Sequence, residues 1–138
     1  MIRAINITVK DRDRILKLIA KEKEFGTGTN KDYLKDLEQE LNRANIVYSE
    51  DIPPDSITMN SKVLLKDVDL GEETTYTLVY PADADLSENK ISILAPIGTA
   101  LLGFREGDVI DWKVPVGIVK LKVKKIIYQP EAAGNYEL

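Results

Sequence analysis

The chain has 138 residues, of which 43% are hydrophobic and 30% are charged, the balance of an ordinary soluble globular protein. It contains no cysteine and no histidine, which excludes disulfides, thiol nucleophiles, the commonest general base and the commonest metal ligand. The net charge of −4 argues against an affinity based on neutralising nucleic-acid phosphates and favours a basic protein surface as the partner.

Residues 1–50 predict a short strand followed by two helices. Apolar and polar residues alternate from Ile5 to Val9, which indicates an extended lead-in. Asp11 and Asp13 then fall where a first helical turn favours acidic residues. The residues that recur at helical spacing in the first helix are Ile15, Leu18, Ile19 and Phe25. Those with the a/d spacing of a coiled coil in the second are Leu34, Leu37, Leu41 and Ala44. The glycine-rich stretch 26–30 separates the two helices, so we expect a short antiparallel helical hairpin.

A linker at Ile52-Pro53-Pro54-Asp55 separates this hairpin from residues 51–138, because two consecutive prolines cannot continue a helix. Beyond it, a period of two predicts strands. The five predicted strands centre on residues 63–65, 74–80, 91–94, 110–114 and 119–128. Pro96 to Leu102 predicts a short helix that Gly103 ends, and 115–117 predicts a hairpin turn. The tail from Pro130 to Leu138 has no period and is expected to be loose.

The last predicted strand has the clearest pattern. Val119, Leu121 and Val123 face one side, and three lysines face the other: Lys120, Lys122 and Lys124. The apolar phase then slips to Ile126, which predicts a β-bulge near residues 124–125. The lysines would form either a basic binding stripe or the ordinary solvent face of a strand, and the pattern leaves both open.

No residue pattern indicates catalysis, a metal or a cofactor. The serines lack the spacing of a nucleophile elbow, and no glycine-rich phosphate loop is present. Asp83, Asp85 and Glu88 crowd one loop without the pattern of a calcium site. We also expect no membrane association, because neither a signal segment nor a membrane-length apolar run is present, and we expect a cytoplasmic location.

Three acidic residues flank the loop between the two helices: Glu22, Glu24 and Asp32. They would hold a metal if this tip were delivered into another protein's active site. Alternatively they are solvated helix-end charges, offset by the lysines interleaved with them.

One segment of the chain resembles a known protein family. The stretch Ala95-Pro96-Ile97-Gly98-Thr99-Ala100-Leu101-Leu102-Gly103, followed by Gly107-Asp108 and Pro115-Val116-Gly117, resembles the C-terminal domain of the bacterial transcript-cleavage factors GreA and GreB. Three further stretches resemble the related Rnk regulators more closely: 59–63, 78–82 and 128–134. These motifs occur in the same order and cover most of residues 50–134.

The resemblance implies an α+β protein: an N-terminal coiled coil and a C-terminal FKBP-like domain, with a bent antiparallel sheet and one short helix. It implies bacterial RNA polymerase as partner, gripped near the secondary channel through the loop that matches Ala95-Pro96. The expected docking residues are Leu94, Ala95, Pro96 and Ile97, with Gly98 allowing a close backbone approach. No sequence-specific binding of nucleic acid is expected.

The chain departs from the cleavage factors in the docking loop and in the helical hairpin. Ala95 occupies a position where they usually carry serine. Each predicted helix has about 15 residues and reaches roughly 20–25 Å, less than their long coiled coil, and the tip acids do not reproduce their paired-acid motif. The chain is therefore predicted to be a regulator without its own catalysis that competes with cleavage factors. The alternatives are a true cleavage factor, an FKBP-like peptidyl-prolyl isomerase, and a direct regulator of nucleoside diphosphate kinase.

Overall fold

The computed structural model describes residues 5–25, 32–114 and 117–134. The N-terminal part consists of β1 (Asn6–Ile7), α1 (Val9–Phe25), α2 (Asp32–Asn42) and β2 (Asn45–Ile46). β1 and β2 pair in parallel, which is possible because the two helices between them form the crossover. The predicted extended lead-in and both predicted helices are confirmed. No helix in the described ranges combines the length and hydropathy needed to cross a bilayer.

The C-terminal part is a five-stranded sheet with one short helix. Its elements are β3 (Lys62–Asp67), β4 (Glu73–Val79), β5 (Lys90–Ser92), α3 (Pro96–Leu101), β6 (Val109–Val114) and β7 (Gly117–Tyr128). The strand order is β5-β4-β3-β7-β6. All five predicted strands and the predicted helix are present, so the α+β class with helices before a sheet is confirmed.

The expectation of a wholly antiparallel sheet is wrong at one edge. β5 pairs with β4 in parallel, with Leu78 opposite Ile91. The ten residues between these strands form two short 3₁₀ turns, Pro81–Asp83 and Leu86–Glu88. They return the chain only to the level of Thr77, so that β5 begins opposite the second half of β4 and runs in the same direction. A tight hairpin would have produced the antiparallel pairing.

The predicted bulge in β7 is confirmed. Along β3, Val63 pairs with Ile126, whereas Leu65 pairs with Val123, so β7 has one extra residue between these pairs. The shift keeps Val63, Leu65 and Val123 buried, and Ile126 packs against the same core. It also keeps the lysines of β7 on the solvent side.

Buried side chains from both parts of the chain form one cluster. Ile15 and Ile19 of α1 and Leu37 of α2 belong to the same core as Ile57 and Leu101. Gly103 lies so close to Ile5, the residue before β1, that an added Cβ would lie 2.7 Å from Cγ1 of Ile5. The proposed division at residues 50 and 51 stays a prediction, but the helices are packed on the sheet domain.

Candidate functional site

The predicted docking segment is a tight turn between β5 and α3. The side chain of Ser92 accepts a hydrogen bond from the backbone N–H of Leu94 at 3.0 Å, and its carbonyl accepts one from Ala95 at 3.0 Å. Ala95 then takes the N-cap position of α3 and accepts from the N–H of Thr99 at 2.9 Å. Leu94, Ala95 and Ile97 are half-buried, and the side chain of Pro96 lies outside the described part. The turn is therefore fixed by its own backbone and presents partly exposed apolar side chains.

Gly98 allows α3 to pack against strand β5 of the same chain. An added Cβ would lie 2.0 Å from the carbonyl oxygen of Ser92, a distance at which backbone must move. Gly98 is also buried, so the close approach seen here is intramolecular. The expectation that Gly98 admits a partner's backbone stays a prediction.

Helix α1 is joined to the sheet domain by a buried polar contact. Tyr80, just after β4, donates a hydrogen bond from Oη to Oδ1 of Asp11 at 2.6 Å, and both residues are buried. The guanidinium of Arg14 lies over the Tyr80 ring, 3.8 Å from its centroid. Burial raises the pKa of Asp11, and the Tyr80 hydrogen bond and the Arg14 charge offset part of that effect. The same burial, with the neighbouring Asp11, raises the pKa of Tyr80.

A second buried polar group fixes the C-terminal segment around Glu131. Thr58 donates from Oγ1 to Oε1 of Glu131 at 2.6 Å, and its hydroxyl also lies 3.0 Å from Oγ of Ser61. Burial raises the pKa of Glu131, the Thr58 hydrogen bond lowers it, and the charge of Asp11 raises it further. This group and the Asp11 contact are therefore electrostatic neighbours.

Gln129 connects the same C-terminal segment to the linker. Its Nε2 donates to the carbonyl oxygens of Pro53 at 2.8 Å and Ser56 at 2.6 Å. Pro130 and Glu131 are buried, so the expectation of a loose tail is wrong for these two residues, whereas residues 132–134 are exposed. No sign of this order is visible in the sequence, because side-chain hydrogen bonds hold the segment, and such contacts produce no hydrophobic period. Residues 135–138 lie outside the described part.

Asp11 could have been found from its spacing. It precedes Ile15 by one helical turn and Ile19 by two, and it therefore lies on the buried face of α1. Its position in the first helical turn suggested only a favourable interaction with the helix dipole. Gln129 and Glu131 have no comparable local signal.

The structure describes little of the predicted acidic tip. Glu22 is half-buried in the last part of α1. Glu24 and Asp32 lie within the helices, but their side chains, like the whole of the loop 26–31, are outside the described part. A metal role for these three residues stays a prediction.

Two acidic side chains of the loop after β4 interact with neighbouring residues in the sequence. Asp85 caps a 3₁₀ turn by accepting from the N–H of Ser87 at 3.0 Å and from its hydroxyl at 2.6 Å. These hydrogen bonds lower the pKa of Asp85. Glu88 pairs with Lys90 at 3.1 Å. Within the described ranges, no group of three or more acidic side chains is arranged to hold a metal ion.

These features define a class of protein: two helices packed on a five-stranded sheet, with a fixed apolar turn between β5 and α3. The family model described as "Transcription elongation factor, GreA/GreB, C-term" matches residues 52–128, and the model "Rnk N-terminus" matches residues 3–47. The chain belongs to the GreA/GreB transcription elongation factor family and carries an N-terminal region of the Rnk type.

Individual relatives agree with this assignment. The chain is 47% identical over 103 residues to the "Regulator of nucleoside diphosphate kinase" of Escherichia coli (strain K12), covering 74% of this chain and 76% of that protein. It is 44% identical over 90 residues to "Transcription elongation factor GreA" of Thermoanaerobacter pseudethanolicus, and spans only 57% of that longer relative. A solved structure titled "Prokaryotic transcription elongation factor GreA/GreB from Nitrosomonas europaea" is 41% identical, with a TM-score of 0.76 over 90% of this chain and 99% of that one.

Proposed function

We propose that this protein is a transcription regulator that binds bacterial RNA polymerase near the secondary channel, without catalysis of its own, and competes there with cleavage factors. The observation that carries the proposal is the family membership of both parts of the chain. The docking surface that we assign is the turn from Leu94 to Gly98. Two features support this assignment. Three side chains of the turn are apolar and half-buried, and local hydrogen bonds fix the backbone of the turn. A prepared surface of this kind loses little conformational entropy on binding.

The short helices support a regulator rather than a cleavage factor. Helix α1 has 17 residues and helix α2 has 11. At 1.5 Å per residue they reach roughly 25 Å and 16 Å. The helices also share a core with the sheet domain, so part of their length is used to pack on it. We infer that the tip with Glu22, Glu24 and Asp32 does not reach the polymerase's catalytic centre.

We also infer that the C-terminal domain is FKBP-like and that α1 and α2 run antiparallel as a short coiled coil. The five-stranded sheet with one short helix, which lies between β5 and β6 in the chain and contacts both, supports the first inference. The direct succession of the two helices, which contact one another, supports the second.

The test uses halted polymerase elongation complexes with labelled nascent RNA. The full-length protein is expected to produce no RNA cleavage and to reduce the cleavage that added GreA produces, increasingly with its concentration. A variant with Glu22, Glu24 and Asp32 all changed to alanine is expected to inhibit equally well. Cleavage by the wild type that this triple variant lacks would contradict the proposal and would identify a cleavage factor instead.

A further inference from the structure

The register of strands β3 and β7 gathers six of their lysines on the solvent side of the sheet. Paired residues of neighbouring strands project to the same face, and Lys66 lies opposite Lys122, Leu64 opposite Lys125, and Lys62 opposite Tyr128. The intervening residues Val63, Leu65 and Val123 project to the other face and are buried. We call the resulting surface the lysine face: Lys62, Lys66, Lys120, Lys122, Lys124 and Lys125.

Few acidic groups neutralise the lysine face. Glu73 pairs with Lys124 at 2.9 Å and also interacts with Lys66, and Asp111 lies opposite Lys120. For Lys62, Lys122 and Lys125, no ion pair is found among the residues that the structure describes. Lys66 and Lys122 are like charges directly across from each other, an arrangement that destabilises a sheet. A chain of net charge −4 thus concentrates positive charge on one sheet face at a cost in stability.

Apolar side chains border these charges. Val109 lies opposite Lys122 and is 45% exposed, and Ile118, on the same face of β7, is 55% exposed. Leu64, between the lysines of β3, is half-buried. Tyr128 is the one aromatic residue of this face within the described part of the sheet. A single aromatic ring offers no platform for the stacked bases of a single-stranded nucleic acid. The apolar border instead matches a protein segment, which carries apolar side chains beside its carboxylates.

We propose that the lysine face is a second docking surface, and that its partner is an acidic protein segment with interspersed apolar residues. The surface lies on the broad face of β3 and β7, whereas the turn from Leu94 to Gly98 follows β5 at the sheet edge. Its partner is therefore recognised separately from the contact proposed above, and the proposal does not rest on polymerase binding. Adjacent strands are spaced about 4.8 Å apart and same-face residues of one strand about 6.8 Å, so several carboxylates of one extended segment meet lysines at once.

The experiment measures the binding of a labelled peptide of Glu-Glu-Leu repeats to the full-length protein by fluorescence anisotropy. The test variant is Lys122→Glu combined with Lys125→Glu. The matched control is Lys17→Glu combined with Lys35→Glu, which changes the net charge equally at exposed helix positions. An oligouridine of the same charge is the second probe.

The test variant is expected to bind the peptide about tenfold more weakly, with a smaller salt dependence, while the control changes affinity by less than about threefold. The test variant is also expected to unfold at an equal or higher urea concentration than wild type, because Lys122→Glu replaces a like-charge pair with Lys66 by an opposite-charge pair; a loss of binding then has no folding explanation. The proposal is overturned if wild type does not bind the peptide or if the control loses affinity equally. Tighter, lysine-dependent binding of the oligouridine would overturn the assignment of an acidic protein partner.

Discussion

Tyr80 donates a hydrogen bond of 2.6 Å to Asp11, and this buried contact connects helix α1 to the end of strand β4. Tyr80→Phe removes the donor and leaves the carboxyl group buried, while the ring that Arg14 covers remains. We expect the free energy of unfolding to fall by about 1–3 kcal/mol, measured by urea denaturation.

The matched control is Tyr76→Phe on β4, the strand that Tyr80 directly follows, because the hydroxyl of Tyr76 makes no hydrogen bond within the described residues. It should change the free energy of unfolding by less than about 0.5 kcal/mol. Equal losses in both variants would show that the contact between Tyr80 and Asp11 contributes nothing specific.

The buried carboxyl of Asp11 makes part of the stability depend on pH. Burial raises its pKa above the ordinary value of 3.8, so the folded protein keeps this proton to a higher pH than the unfolded chain does. The stabilisation from this group is therefore complete below 3.8 and is lost as the pH rises through the raised pKa. Asp11→Asn stays neutral and still accepts from Tyr80. The stability of Asp11→Asn relative to wild type should therefore increase as the pH rises from 3.8 through the raised pKa of Asp11. Urea titrations at a series of pH values measure this difference.

Glu131→Gln should show the same trend, because burial raises the pKa of Glu131 above its ordinary value of 4.5. The pH range over which Glu131→Gln gains stability relative to wild type therefore begins at 4.5. A difference from wild type that stays constant with pH in both variants would contradict the account of two buried carboxyl groups.

Gly98→Ala should destabilise the protein by crowding rather than by backbone conformation. Its Cβ would lie 2.0 Å from the carbonyl oxygen of Ser92, so α3 must move away from β5, at a cost of about 2–3 kcal/mol. Gly71→Ala is the control for conformation: its φ is +76° and open space surrounds it, so about 1 kcal/mol is expected. Thermal denaturation of both variants measures the contrast. A smaller loss for Gly98→Ala than for Gly71→Ala would argue against the packing described.

Gln129→Ala should release the segment around residue 129 from the linker. Two carbonyl oxygens, of Pro53 and Ser56, lose their side-chain donor, and we expect a loss of about 2–3 kcal/mol in the free energy of unfolding. Gln39→Ala, at an exposed position of α2, removes the same group without such contacts and should change it by less than about 0.5 kcal/mol. If limited proteolysis cut both variants after residue 128 no faster than wild type, Gln129 would not be the anchor.

The elements that local patterns determine could be predicted from the sequence. The helical spacing of Ile15 and Ile19 and the alternation along Val119, Leu121 and Val123 identified their elements and buried faces. The slip of that alternation located the bulge. The parallel pairing of β5 could not be predicted, because it depends on how the preceding turns direct the chain. Nor could the burial of Gln129 and Glu131, whose partners are more than 70 residues away in the chain.

The predicted docking turn shows the same limit. Its sequence identified the segment and the short helix, and Pro96 marked the helix start. The contact of Gly98 with the carbonyl of Ser92 required the structure, because it depends on how closely α3 lies against β5. A loss of polymerase binding in a Gly98 variant would therefore report on this packing as well as on docking.

The central claim is tested most directly by measuring the affinity of the full-length protein for bacterial core RNA polymerase, with two substitutions at Ala95. Ala95 is the N-cap of α3, where aspartate and serine are both favourable, so neither Ala95→Asp nor Ala95→Ser should reduce stability. We predict that wild type and Ala95→Ser bind with similar affinity, because serine adds only a small uncharged hydroxyl that can cap α3. Ala95→Asp should bind at least about tenfold more weakly, since it places a charge in an apolar contact. Equal binding by all three proteins would contradict docking through this turn, and no binding by wild type would contradict the proposed function itself.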